Sequence, residues 1–175
     1  MSLKIKWILR SVLTALCAFA VGFILYNSLQ PAVESAQQSS TVVELVQKAV
    51  AVVAPQSPIV TATGDAYDRL HKVIRTLAHF SEYALLGALG GWCCLSYTFR
   101  KVFLAIPAGG IVILGALDEY LQSFVVGRGT QFADVLVDSL GGLCGLAFAL
   151  FTVWFAVKMI KRRKHETGQF GNCLD

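Results

Sequence analysis

The sequence predicts an all-α fold, a polytopic membrane bundle of about four transmembrane helices with an extracytoplasmic loop between the first and second. Three observations predict it. The chain of 175 residues is 55% hydrophobic and only 15% charged, with a mean hydropathy of +0.62, well outside the soluble average. The apolar residues are gathered in runs near the ~20 residues that a bilayer core requires. The basic residues collect at one set of run ends. No polar stretch is long enough to bury a core of its own, which argues against a separate soluble catalytic module.

The first span covers about residues 7–26, with Lys4 and Lys6 before it and Arg10 near enough to its start to snorkel. A secretory signal peptide is the competing reading, since basic residues precede an apolar run and small residues follow at Ala32, Ser35 and Ala36. That run is long for a signal segment, and no clean A-x-A site closes it. Residues 27–76 form an outer loop, marked by Gln30-Pro31, the polar run from Gln37 to Ser40, and Pro55 and Pro58. Within it residues 41–54 suit a short surface helix, and another helix is expected after Gly64 with Asp65 as its N-cap.

The second span covers about residues 77–99 and stops at Arg100-Lys101, so the turn into the third, about 102–121, must be tight. The fourth covers about 132–157. A basic tail, 158–175, follows with Lys158, Lys161, Arg162, Arg163, Lys164 and His165. Cys17, Cys93, Cys94 and Cys144 lie in apolar runs and Cys173 in the tail; with no CxxC spacing they suggest neither a disulfide framework nor a zinc site.

Ten of the fifteen Lys and Arg residues fall on one side: Lys4, Lys6, Arg10, Arg100, Lys101, Lys158, Lys161, Arg162, Arg163 and Lys164. The positive-inside rule makes that side cytoplasmic, with both termini inside. The opposite side is net acidic. In this topology every unusual polar residue falls at the outer end of its helix: His79 and Glu82 early in the second span, Asp118, Glu119 and Gln122 late in the third, and Asp134 and Asp138 early in the fourth. Arg128 sits in the turn between the last two.

Ionised side chains in membrane helices are costly and mark interior or water-filled sites with partners. Arg75, His79 and Glu82 recur at helical spacing and share one face of the second helix. Asp134, Asp138, Gly141 or Gly142, and Gly145 share a face of the fourth, where small residues let a neighbouring backbone approach. The groups fit one polar layer. It reads either as a pocket, with carboxylates and a histidine for acid-base work and Arg128 and Arg75 for an anion, or as a staple in which Arg128 neutralises Asp134 or Glu119 and His79 pairs with Glu82. The five acids exceed their cationic partners, which favours a pocket. Oxygen ligands with a histidine suit a divalent metal, but no HExxH or comparable spacing supports one, and no cofactor is expected.

The string from His79 through Glu82-Tyr83 to Gly87, then Asp118-Glu119 with Gln122, Gly127-Arg128, Asp134, Asp138 and Gly141-Gly142, resembles the VanZ-like family of bacterial membrane proteins. Ser28-Leu29-Gln30-Pro31 is similar to the family's early polar signature. The resemblance covers nearly the whole chain, from the first span through the fourth, and implies a small four-helix protein of the bacterial inner membrane, with a namesake that contributes to teicoplanin resistance. Its implied polar positions are His79, Glu82, Tyr83, Glu119, Gln122, Arg128 and Asp134. Asp138 departs from an expected asparagine, and the outer loop is long for the family.

Two functions follow as expectations. The first is an outward-facing pocket that binds or processes a cell-envelope component, such as a lipid-linked or peptidoglycan-related molecule. In it His79, Glu82 and Glu119 are candidates for proton transfer, while Tyr83, Asp118, Gln122, Arg128, Asp134 and Asp138 hold the ligand. The second is a non-catalytic scaffold or partner subunit whose polar layer only fixes helix packing. Membrane lipid is an expected partner and nucleic acid is not. A transporter ranks behind both, because four helices without an internal repeat make a poor path alone.

Overall fold

A computed structural model describes residues 2–98, 100–129 and 131–171. Phe99, the expected end of the second span, and Cys173 in the tail lie outside the described residues, as do the side chains of Lys101, Lys164 and His165. The described residues form helices α1 (Leu3–Ser28), α2 (Ala32–Val53), α3 (Asp65–Tyr97), α4 (Ala105–Gln122) and α5 (Phe132–Gly171), with a 3-10 turn at Lys101–Leu104. That turn is the tight connection expected between the second and third spans.

Among the described residues, three helices are long and apolar enough to cross a membrane: Leu3–Ser28, Val102–Gln122 with its leading turn, and Phe132–Arg163. Helix α3 is less apolar because its inward face carries polar and small residues, yet it shares the depth of α5. Phe80 lies against Gly141, Ala84 and Ala88 against Gly145, and Gly91 against Leu146 and Ala149. Trp92 Nε1 donates to Thr152 Oγ1 at 2.9 Å. Contacts that advance together along both helices make α3 and α5 parallel, packed through glycine as small-xxx-small helices do. At 33 residues, ~50 Å long, α3 can cross and still project beyond the bilayer core.

Helix α4 runs the other way, with Gly115 against Asp138 and Val135, Ile111 against Gly142, and Pro107 against Gly90. Helix α1 is also antiparallel to α3. Arg10 Nε and Nη2 donate to the Ser96 carbonyl at 3.0 and 2.9 Å at one end, and Asn27 Nδ2 donates to Glu82 Oε1 at 3.0 Å at the other. Ala20, Ile24, Tyr83, Leu86, Ile111 and Leu114 fill the core among α1, α3 and α4.

Three local expectations are corrected. The cap of α3 is Gly64, not Asp65, because this residue takes a φ of 56°, which glycine adopts without steric cost; Asp65 and Asp68 occupy the first turn, where they suit the helix dipole. The outer segment is more helical than expected. Helix α2 starts straight after Pro31 and runs through the Gln37–Ser40 stretch, whose hydroxyls bond back into the helix: Ser39 to the Ser35 carbonyl, and Ser40 and Thr41 to that of Gln37. Third, α5 continues to Gly171, well past residue 157, so the basic run extends the helix.

Candidate functional site

The orientation of the four packed helices brings the C-terminal end of α1, the middle of α3, the end of α4 and the start of α5 to one level. Every sequence-predicted polar residue lies there. Asp118 is 1% exposed and accepts at both carboxylate oxygens: Ser28 Oγ, which also has the Ile24 carbonyl as acceptor, donates to Asp118 Oδ1, and Gln122 Nε2 donates to Oδ2 at 3.1 Å. Glu82 accepts from Asn27. Glu119 accepts from the Gln131 backbone N–H and so closes the loop between α4 and α5.

The staple pairs drawn from charge alone are not what Arg128 makes. Its Nη1 donates to the Ser28 carbonyl at 3.1 Å and its Nη2 to that of Asn27 at 3.3 Å. The last carbonyls of a helix lack intrahelical partners and carry the negative end of its dipole, so the Arg128 guanidinium, brought there by the connection between α4 and α5, is drawn to the end of α1. Burial, and after it the neighbouring Arg75, hold the Arg128 guanidinium below its ordinary pKa, against the opposing pull of Asp118 and Glu119. Two cations therefore face one another across this end of the bundle.

Four buried side-chain N or O atoms have no hydrogen-bond partner among the described residues: His79 Nδ1, Tyr83 Oη, Arg128 Nε and Asp138 Oδ1. All four belong to this layer. Tyr83 is fully buried, and Asp138 is 3% exposed. Buried polar groups are normally satisfied, and an orphan costs about 1–3 kcal/mol. Concentration of all four at one level therefore separates this region from ordinary helix packing.

Two cavities meet at the layer. One, of about 240 Å³, lies between α3 and the start of α5 and is lined by His71, Lys72, Arg75, Thr76, His79, Arg128, Gln131, Asp134 and Asp138, among others. The second, of about 610 Å³, opens between α2 and α3; Val42, Val46, Ile74, Leu77 and Phe80 give it an apolar side, and Asn27, Ser35, Gln38 and Glu82 a polar one. Arg75, His79 and Arg128 line both.

Of the three proton-transfer candidates, His79 and Glu82 share the larger cavity, whereas Glu119 lines neither cavity and is engaged with the loop. Asp134 and Asp138 line the smaller cavity with Arg128, and Tyr83, Asp118 and Gln122 lie in the interior behind it. Sequence reasoning missed Asn27, Ser28, Lys72 and Gln131. A signal for Ser28 was present, in the Ser28-to-Pro31 signature at the end of the first span. Lys72 also stood three residues before Arg75, on the same helix face. His71 Nε2 lies 3.1 Å from the Ala36 carbonyl, ties α2 to α3 and lines the smaller cavity.

Apolar helices enclosing one layer of buried carboxylates, a histidine and an arginine define a multi-pass membrane protein with a polar interior. The family model described as VanZ/LLP1 matches residues 13–155, from the body of α1 to the body of α5. The chain belongs to the VanZ/LLP1 family. No curated protein and no solved structure matches it.

Proposed function

We propose that this protein binds the anionic headgroup of a cell-envelope lipid in a polar pocket on the outer face of the inner membrane, with both termini cytoplasmic. One observation carries the reading. Arg75 and Arg128 stand where a polar cavity meets a larger cavity with an apolar side, the arrangement that a molecule with a charged head and an apolar chain requires. The phosphate or carboxylate of such a lipid would lie between the two guanidiniums, which bind planar or tetrahedral anions through several donors at once. Its chain would leave between α2 and α3.

The outward orientation rests on the basic flanks at the other end of the bundle, Lys4, Lys6 and Arg10 on α1 and Lys158, Lys161, Arg162 and Arg163 on α5. His79 and Glu82, which border the same cavity, are the groups available for proton transfer should the bound molecule react.

The scaffold reading has its own support, since Glu82, Asp118 and Glu119 each accept a hydrogen bond that ties two segments together. Lipid retention separates the two. The protein is purified in detergent, exchanged into nanodiscs of phosphatidylcholine with a minor fraction of phosphatidylglycerol, and the lipid kept after stringent delipidation is quantified by mass spectrometry. The wild type is expected to enrich the anionic lipid. Arg75→Gln and Arg128→Gln are each expected to reduce the enrichment by about tenfold or more, because loss of one partner of a buried charge pair costs about 2–5 kcal/mol and 1.4 kcal/mol is tenfold. Equal enrichment in wild type and both variants, with folding intact, supports the scaffold.

A further inference from the structure

We infer that His79, Asp118 and Asp138 form a binding site for one divalent transition-metal ion at the floor of the pocket. One ligand atom from each, an imidazole nitrogen and two carboxylate oxygens, lies within 4.8 Å of the other two. The three come from α3, α4 and α5, so one ion would tie three helices together. Zinc and similar ions take such donors at about 2.0–2.2 Å, and small side-chain movements bring atoms at these separations around a common centre.

Electrostatics asks for a cation here. Two carboxylates buried this completely in the core of a membrane bundle need a positive partner or a proton. Arg128 does not supply one by hydrogen bonding, since its Nη1 and Nη2 donate to the Ser28 and Asn27 carbonyls and its Nε has no partner among the described residues. Asp138 keeps Oδ1 unpartnered, and so does His79 its Nδ1.

A separate observation points to a ligand in the same place. Tyr83 Oη is fully buried and unpartnered, with Asp118, Asp138 and Glu82 among the charged groups around it. A phenol in that position can hydrogen-bond to metal-bound carboxylate or join the ligand set. Asp118 is held in place by Ser28 and Gln122, the kind of outer support that ligating carboxylates need. His79 and Asp138 border the smaller cavity, which gives an ion its way in. Mixed imidazole and carboxylate ligands suit Zn²⁺ or Mn²⁺, whereas Ca²⁺ takes six to eight oxygens and Cu(I) prefers sulfur.

The site lies in the pocket proposed for the headgroup and deepens that reading, so metal binding is measured in lipid-free detergent micelles, where the two can fail separately. Full-length protein is stripped with chelator, dialysed against Zn²⁺ or Mn²⁺, and assayed by elemental analysis and, for Mn²⁺, by electron paramagnetic resonance. One ion per chain is expected. Asp138→Asn and His79→Gln should each weaken binding by at least about tenfold while keeping wild-type helicity and elution. Absence of stoichiometric metal, with the carboxylates then holding protons, overturns the inference. Wild-type affinity in His79→Gln overturns it as well, since the ion would then be bound elsewhere. If Asp138→Asn fails to fold, His79→Gln decides alone, because His79 is only partly buried.

Discussion

Gly145→Leu is expected to abolish the folded protein. A Cβ at this position would run into the Ala84 carbonyl oxygen and would also lie 2.7 and 2.8 Å from Ala84 C and Ala88 N, all backbone atoms of α3 that cannot turn aside. Gly87 presents the reciprocal case, with the Gly142 carbonyl in the way. Any side chain therefore forces α3 and α5 apart along their principal contact. Overpacking in a well-packed interior costs about 1–3 kcal/mol, and a rigid backbone neighbour places this case at or above the upper end. The same displacement would break up the polar layer, because His79 and Asp138 sit one to two turns away on the same two helices. Gly109→Ala is the matched control, since a Cβ there meets nothing within 4 Å. Thermal unfolding in detergent, followed by circular dichroism, should show loss of a cooperative transition in Gly145→Leu and a wild-type midpoint in Gly109→Ala.

Asp118 and Asp138 should respond to substitution in opposite ways. Asp118→Leu strands the Gln122 amide, at about 1–3 kcal/mol for a buried group left unsatisfied, and takes one of its two acceptors from the Ser28 hydroxyl, which keeps the Ile24 carbonyl. Asp138→Asn takes a charge from a carboxylate whose Oδ1 has no partner, without changing its shape. Removal of buried groups that gain little in the folded state is often neutral or stabilising. With chelator present to exclude metal, the unfolding midpoint of Asp118→Leu should fall by several degrees and that of Asp138→Asn should hold or rise. A strong fall in both would make the whole layer a staple and favour the scaffold reading. Divergence would mean that Asp138 is kept for something other than stability.

The membrane bundle was legible in the sequence because hydrophobic length is a property of the chain alone. So was the polar layer, since span ends and helical spacing assign depth and face to His79, Glu82, Asp118 and Asp138 before any contact is known. The partners were less legible. Charge complementarity pointed Arg128 at Asp134 or Glu119, yet the unpaired carbonyls at the end of α1 compete for the same guanidinium, and a sequence does not reveal which end of α1 reaches the loop. Asn27 and Ser28 were missed for that reason. Helix α2 was foreshortened because serine and glutamine runs usually mark loops; here hydroxyls bonded back to the helix carbonyls let it continue. Two cavities sharing Arg75, His79 and Arg128 could not be anticipated from spacing, because the shared wall is made by segments far apart in the chain.

The central claim is that an anionic lipid head rests between Arg75 and Arg128 with its chain passing between α2 and α3. Photo-crosslinking tests it most directly. Phosphatidylglycerol carrying a photoreactive group beside its phosphate is incorporated into nanodiscs with the wild-type protein, irradiated, and the modified peptides are mapped by mass spectrometry. Adducts are expected at residues bordering the two cavities, in 71–82 and 127–138, and they should disappear in the Arg75→Gln, Arg128→Gln double variant. Adducts confined to the outward faces of α1 and α5, unchanged in that variant, would contradict the account.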